Sequence, residues 1–216
     1  MNLLIIGSGA REHAFAWKIF NSKHDIKIFV TNPNAGISKI SFCVDVDIND
    51  FVSVKKTIIK HSIDIVLIGP EIPLINGISD FIQNEVTLQN VRVIGPSKKG
   101  SMLEGSKEFA KNFMAKYSIP TASYKSFSKS TFDQAVRFIN KNTPPYVLKA
   151  DGPAAGKGVI IVNDPDEAVK NLEAMLLNSK FGKSSEKVVI EEFLSGIEMS
   201  CFCLLYTSPS PRDGIG

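Results

Sequence analysis

Through the first hundred residues, short apolar runs alternate with helical patterns, and this alternation restricts the fold more than any other feature of the chain. Asn2–Gly7 (NLLIIG), Ile26–Val30 (IKIFV), Cys43–Ile48 (CVDVDI), Ile63–Gly69 (IDIVLIG) and Val91–Gly95 (VRVIG) read as strands. Helical spacing occupies Arg11–Asn21, Asp50–His61 and Gly77–Asn84 between them. Apolar, β-branched strands separated by helices predict an open parallel α/β sheet covered on both faces. In such a sheet the loops leaving the strands gather on one edge, where ligands bind.

Three glycine-containing loops fall on that edge. The first, GSGAREHA, sets Gly7 and Gly9 between a strand and a helix, but Glu12 stands at the third position of G-x-G-x-x-G. The acidic residue that would hold a ribose after strand two is also absent, since Thr31 and Asn32 stand there. Both departures argue against a nicotinamide cofactor. Two readings of this loop stay open. It is a tight turn with a solvated first helical turn, or a cradle of backbone amides for a phosphate, with Arg11 and His13 as further donors. NPNAG (32–36) and GPEIPL (69–74), which carries Glu71, follow strands two and four. Together the three loops point to a small phosphorylated ligand.

The second half predicts a smaller α+β unit. Helical spacing over Lys98–Tyr117 is closed by SIPTASY, and Thr131–Asn142 reads as a helix capped by Ser130 or Thr131. Tyr146–Ala150, Val159–Val162 and Lys187–Leu194 read as strands, and Asp164–Leu176 as a helix capped by Asp164 with Pro165 behind it. Between the first two of these strands lies DGPAAGKGV, Asp151–Val159. It is not a Walker A loop: Gly152 and Gly156 enclose too few residues, Gly158 replaces the hydroxyl residue, and no helix follows. A glycine hairpin between strands can instead close over a nucleotide, with Lys157 as a mobile charge and Lys149 on the strand reaching phosphates. Glu191 and Glu192, at a strand end, are read either as a solvated pair or as groups contacting an adenine edge or ribose.

Composition narrows the partners. A net charge of +3 is too mild to imply nucleic acid, and no stretch approaches the roughly 20 apolar residues of a membrane span. The amino terminus lacks the basic region of a signal peptide. Cys43, Cys201 and Cys203 have no C-x-x-C spacing, so they read as incidental thiols in a reducing cytoplasm. From Cys203 to Gly216 the strand pattern stops at a Ser/Pro cluster, and CLLYTSPSPRD resembles a translated sequencing adapter. A non-native tail over 203–216 is therefore expected.

In order and spacing, GSGAREHAFAW, NPNAG, GPEIPL, LEGSK, KADGPAAGKGV and VVIEEFLSGIE resemble the phosphoribosylamine–glycine ligase (glycinamide ribonucleotide synthetase) family of ATP-grasp enzymes, from Met1 to about Cys201. The resemblance implies a Rossmann-like pre-ATP-grasp domain over 1–97, a helical linker over 98–121, a small ATP-grasp subdomain over 122–190, and the truncated start of a large one over 191–202. It implies ATP, glycine and 5-phosphoribosylamine as small-molecule partners, joined through a glycyl phosphate in purine synthesis. ATP contacts would come from Lys107, Lys149, Gly156, Lys157, Gly158, Glu191, Glu192, Phe193, Leu194 and Glu198. Gly9, Arg11, Glu12, His13, Asn34, Gly36 and Glu71 fall in loops expected near phosphoribosylamine. Catalytic groups and the ligands for Mg²⁺ or Mn²⁺ are expected downstream of this sequence, so turnover by the chain alone is not. Two departures stand out: Pro153 replaces a leucine of the family's flap, and Ile197 replaces the first glutamate of its GEE. A purine- or biotin-type carboxylase, or a non-catalytic nucleotide-binding fragment, are the alternatives.

Overall fold

The computed structural model describes residues 1–154 and 156–199. Five strands, β1 (Asn2–Ile6), β2 (Lys27–Thr31), β3 (Phe42–Val44), β4 (Ile65–Ile68) and β5 (Arg92–Ile94), form a sheet in the order β3-β2-β1-β4-β5. Every neighbouring pair is parallel. Side chains alternate across a strand, so β1 serves two cores. Leu3 and Ile5 pack with Ala16 of α1 (Ala10–Phe20), while Leu4 and Ile6 pack with Val54 and Ile58 of α2 (Phe51–Lys60). Asp50 starts α2 by accepting from the amides of Val52 and Ser53. On the second face, α4 (Ile78–Asn84) adds Ile78 and Ile82. The GPEIPL segment turns directly into a short helix, α3 (Glu71–Asn76), joined to α4 through Gly77 at φ 99°.

The second sheet is antiparallel and has the order β6-β9-β7-β8, with β6 at Tyr124–Ser128, β7 at Tyr146–Ala150, β8 at Val159–Val162 and β9 at Lys187–Glu192. Two helices, α7 (Phe132–Lys141) and α8 (Pro165–Leu176), cover one face. Their Ile139, Leu172 and Met175 pack with Leu148 of β7 and with Val188 and Ile190 of β9. The same alternation places Lys149 and Glu191 on the opposite face, which these helices do not cover. Asp164 caps α8 by accepting from the Glu167 amide, as its sequence indicates.

Four local expectations change. Lys98–Tyr117 is two helices, α5 (Lys98–Gly105) and α6 (Lys107–Lys116), separated by an extended Ser106. Ser106 Oγ accepts from the Phe109 amide, and Asp151 Oδ1 accepts from Ser106 Oγ and the Glu108 amide. The break is thus completed by a loop of the second sheet. β6 had no strand signal in the sequence. It is an edge strand of mixed polarity in which Phe127 is its single buried residue. The third strand is shorter and earlier than CVDVDI. Thr131 does precede α7, but its side chain makes no cap bond there and instead accepts from the Ser128 amide.

No helix among the described residues is long and apolar enough to cross a membrane. Cys43 is an exposed free thiol, whereas Cys201, Cys203 and the expected non-native tail lie outside the described residues.

Candidate functional site

At the edge of the first sheet, the first turn of α1 stitches three loops together. Gly7, at φ 109°, donates its amide to Thr31 Oγ1 at 2.8 Å. The carboxylate of Glu12 is buried beneath the turn and accepts from the Gly9 amide at 2.7 Å. It also lies against the loop after β4: a Cβ on Gly69 would stand 1.9 Å from Glu12 Oε1. Arg11 donates to the Gly69 carbonyl at 2.9 Å. His13 covers Gly36, where a Cβ would meet the imidazole at 2.5 Å. Asn34 closes the set by donating to the Ser8 carbonyl at 2.8 Å and accepting from the amides of Gly36 and Ile37.

The expected substrate residues Gly9, Arg11, Glu12, His13, Asn34 and Gly36 are therefore brought together, and much of their hydrogen bonding is spent on one another. Glu12 fills the space that a dinucleotide fingerprint keeps clear with glycine for close packing of helix on strand. The amides of Ala10, Arg11 and Glu12 remain free of helical partners, as the first turn of any helix leaves them. Glu71 is exposed at the start of α3 and faces the second unit. It lines a cavity of about 240 Å³ with Glu104, Lys107, Gly156 and Gly158.

A larger cleft of about 580 Å³ opens between α6 and the uncovered face of the second sheet, lined in part by Lys107, Lys111, Lys149, Glu191 and Leu194. Lys107 Nζ donates to the carbonyls of Gly152 at 3.2 Å and Asp151 at 3.4 Å. Burial pushes its pKa below the ordinary lysine value, Asp151 opposes that shift, and the nearby charge of Lys149 adds to it. Lys149 Nζ donates to Glu191 Oε2 at 2.9 Å, and Lys111 Nζ lies 3.1 Å from the same oxygen.

The carboxylate of Glu191 is thus committed to lysines. That of Glu192 accepts from Ser123 Oγ at 2.7 Å, a bond that holds its pKa below the usual glutamate value. Glu192 is otherwise exposed at the strand end. Phe193 and Leu194 follow β9 as exposed side chains, and Leu194 reaches the cleft wall. Glu198 is exposed and is not part of that wall.

The glycine hairpin is anchored at its root. Gly152 donates its amide to the Ser184 carbonyl, and Ser184 Oγ donates to the Pro153 carbonyl. Gly158 packs closely enough that a Cβ would approach Ala154 Cβ to 2.7 Å, whereas nothing lies within 4 Å of such an atom on Gly156. Lys157 is exposed, and its amide donates to the Ala154 carbonyl at 2.8 Å. Among the described residues no group of three His, Cys, Asp or Glu side chains is arranged to hold a metal ion.

Two family profiles match consecutive parts of the chain: the phosphoribosylglycinamide synthetase N domain over residues 1–104 and the ATP-grasp (A) domain of the same synthetase over 105–209. The chain belongs to the phosphoribosylglycinamide synthetase family. A phosphoribosylamine–glycine ligase of Caldanaerobacter subterraneus is 41% identical over 205 residues, covering 95% of this chain and 48% of that protein. The crystal structure of the phosphoribosylamine–glycine ligase of Thermotoga maritima superposes with a TM-score of 0.69 at 30% identity, covering 91% of this chain and 45% of that one. A Hydrogenobacter thermophilus biotin carboxylase domain, solved with MgADP, shares the fold at TM-score 0.65 and 18% identity, over 89% of this chain and 44% of its own. The chain therefore spans about half the length of the relatives it matches.

Within this synthetase family fold, three contacts at or near the cleft were not anticipated from the sequence. Asp151 caps α6 from across the junction, Ser123 engages Glu192, and Lys111 enters the cleft from α6. For Lys111 a faint signal existed. It lies four residues after Lys107, hence on the same side of a helix.

Proposed function

We propose that this chain is the amino-terminal part of an ATP-dependent carbon–nitrogen ligase that joins glycine to 5-phosphoribosylamine. One observation carries the reading: Lys107 lies where two adjoining cavities meet, one lined with it by Lys149 and Glu191 and the other by Gly156 and Gly158 of the hairpin and by Glu71 from the first sheet's edge. In this reading residues 1–97 form the phosphoribosylamine-facing domain, 98–121 the linker, 122–190 the small ATP-grasp unit and 191–202 the entry to the large one. The cleft takes ATP, with the strand end at 191–194 along the adenine, Glu198 near the ribose, and Gly156, Lys157 and Gly158 over the phosphates. The loops bearing Gly9, Arg11, His13, Asn34 and Gly36 hold the phosphoribosyl group, and Glu12 keeps those loops in place.

The chemistry requires a carboxylate oxygen of glycine to attack the γ-phosphorus of ATP, with ADP leaving. The amine of phosphoribosylamine then attacks the acyl carbon, phosphate departs, and an amide remains. Lys107 and Lys149 would neutralise charge on the moving phosphoryl group, the term that dominates such transfers. A divalent cation would supply further charge neutralisation in this kind of reaction.

Calorimetric titration of the chain with ATP and, separately, with NADH tests the reading. ATP binding with no heat from NADH is expected, and tight NADH binding overturns it. The chain alone is expected to release no ADP in the presence of ATP and glycine.

A further inference from the structure

One carboxylate oxygen, Glu191 Oε2, holds two lysines, and they are satisfied very differently. Lys111 is 6% exposed and donates to Thr121 Oγ1 at 2.8 Å and to the Ala122 carbonyl at 3.1 Å, with Glu191 Oε2 also at 3.1 Å. An ammonium has three protons; two go to Thr121 and Ala122, and the Glu191 carboxylate pairs with the charge from the third side. Lys149, whose side chain is 28% exposed, has Glu191 Oε2 as its acceptor and two protons left for the cleft. Two ammonium groups on one carboxylate leave an excess positive charge on this face, to which Lys107 adds. Glu104 lines the same cleft, and Asp151 offsets part of the charge of Lys107.

We propose that Lys111 is a positioning residue for Lys149, an inference that rests on the nucleotide reading of the cleft. By occupying part of the Glu191 carboxylate, Lys111 keeps Lys149 from collapsing into a closed neutral pair and leaves its ammonium facing the phosphates. Lys111 also ties α6 to the Thr121–Ala122 segment and to β9. Because Lys107 lies one turn earlier on α6, the same anchor sets the separation of the two phosphate-facing lysines.

The test uses the whole chain as Lys111→Met, Lys111→Arg, Glu191→Gln and the double variant Lys111→Met/Glu191→Gln. The first readout needs no nucleotide: the rate of reductive methylation at Lys149 with formaldehyde and cyanoborohydride, followed by peptide mass spectrometry. In Lys111→Met an undivided carboxylate grips Lys149, so methylation should slow about threefold, whereas Glu191→Gln should speed it. The second readout is calorimetry with ATP and with adenosine, which lacks phosphates. Lys111→Met should weaken ATP about tenfold and adenosine less than twofold, with Lys111→Arg recovering most of the loss.

Faster methylation of Lys149 in Lys111→Met, parallel weakening of ATP and adenosine, or no change in a folded variant each overturns the proposal. If Lys111→Met does not fold, the double variant, which has no orphaned carboxylate, decides. Matching Glu191→Gln in both readouts supports action through Glu191, and a further loss overturns it. A wild-type chain that binds no ATP refutes the nucleotide reading, and the methylation rates still decide the role of Lys111.

Discussion

The edge of the first sheet and the cleft of the second carry similar ingredients, glycines beside charged side chains, and use them in opposite ways. At the edge, Arg11, Glu12, His13 and Asn34 are packed against the glycines or bonded to the loop backbone. In the cleft, Lys149 and Lys107 retain donors and the shared carboxylate is outnumbered by cations. The difference teaches that a charged motif marks a ligand site only after its own protons and lone pairs have been counted. By that count the edge is a scaffold presenting backbone amides, and the cleft is the place where side-chain charge stays available.

The most forceful way to break this comparison is Gly69→Ala. Its Cβ would collide with the buried Glu12 carboxylate, and overpacking of this kind costs about 3 kcal/mol. A clear fall in Tm is expected, with much of it recovered by adding Glu12→Ala. An unchanged Tm would show that Glu12 moves aside freely and that the edge is not wired as described.

Lys107→Ala should do the reverse. Thermal stability should stay nearly constant while ATP affinity falls by about 2 kcal/mol, the scale of a hydrogen bond to a charged group. Loss of stability without loss of affinity would make Lys107 one more scaffold residue.

A smaller effect sharpens the electrostatic side. Because burial depresses the pKa of Lys107 from 10.5, and bound phosphate favours its protonated form, ATP affinity should be highest below that lowered value. Affinity should then fall as pH rises through it. Lys107→Arg should flatten this alkaline limb, since arginine keeps its charge. Calorimetry across the alkaline range reads both.

The smallest change is expected from Ser123→Ala. Glu192 has its pKa lowered by the Ser123 hydroxyl, so the contribution of that bond is present above the normal glutamate value of 4.5. It is lost as pH falls through the lowered folded value. Melting curves of the two proteins should differ slightly at neutral pH and converge in acid.

Much of the fold was legible because a parallel sheet covered on both faces must be written as apolar runs, and β1, β2 and β4 are written that way. β6 was not, because an edge strand that buries Phe127 alone has no run to show. The break at Ser106 was hidden by a residue common inside helices and at their starts. Its decisive partner, Asp151, arrives from the other sheet. The hairpin between β7 and β8 could be read from glycine spacing between strands. Lys111 showed only its spacing from Lys107, since a lysine in helical spacing reads as a solvated face until Glu191 and the Thr121–Ala122 segment close over it. Glu12 was recognisable as a departure from the dinucleotide pattern, but its partner Gly69 follows a different strand, so its packing role emerged only in three dimensions.

The hairpin root has a mechanical consequence. Asp151 holds the start of α6, and Ser184 grips Gly152 and Pro153. Together they form a joint that locks the root of the hairpin to α6 and to the Ser184 turn. Lys107 donates to the Gly152 and Asp151 carbonyls of the same root, so the aim of its ammonium is set by the joint that starts α6.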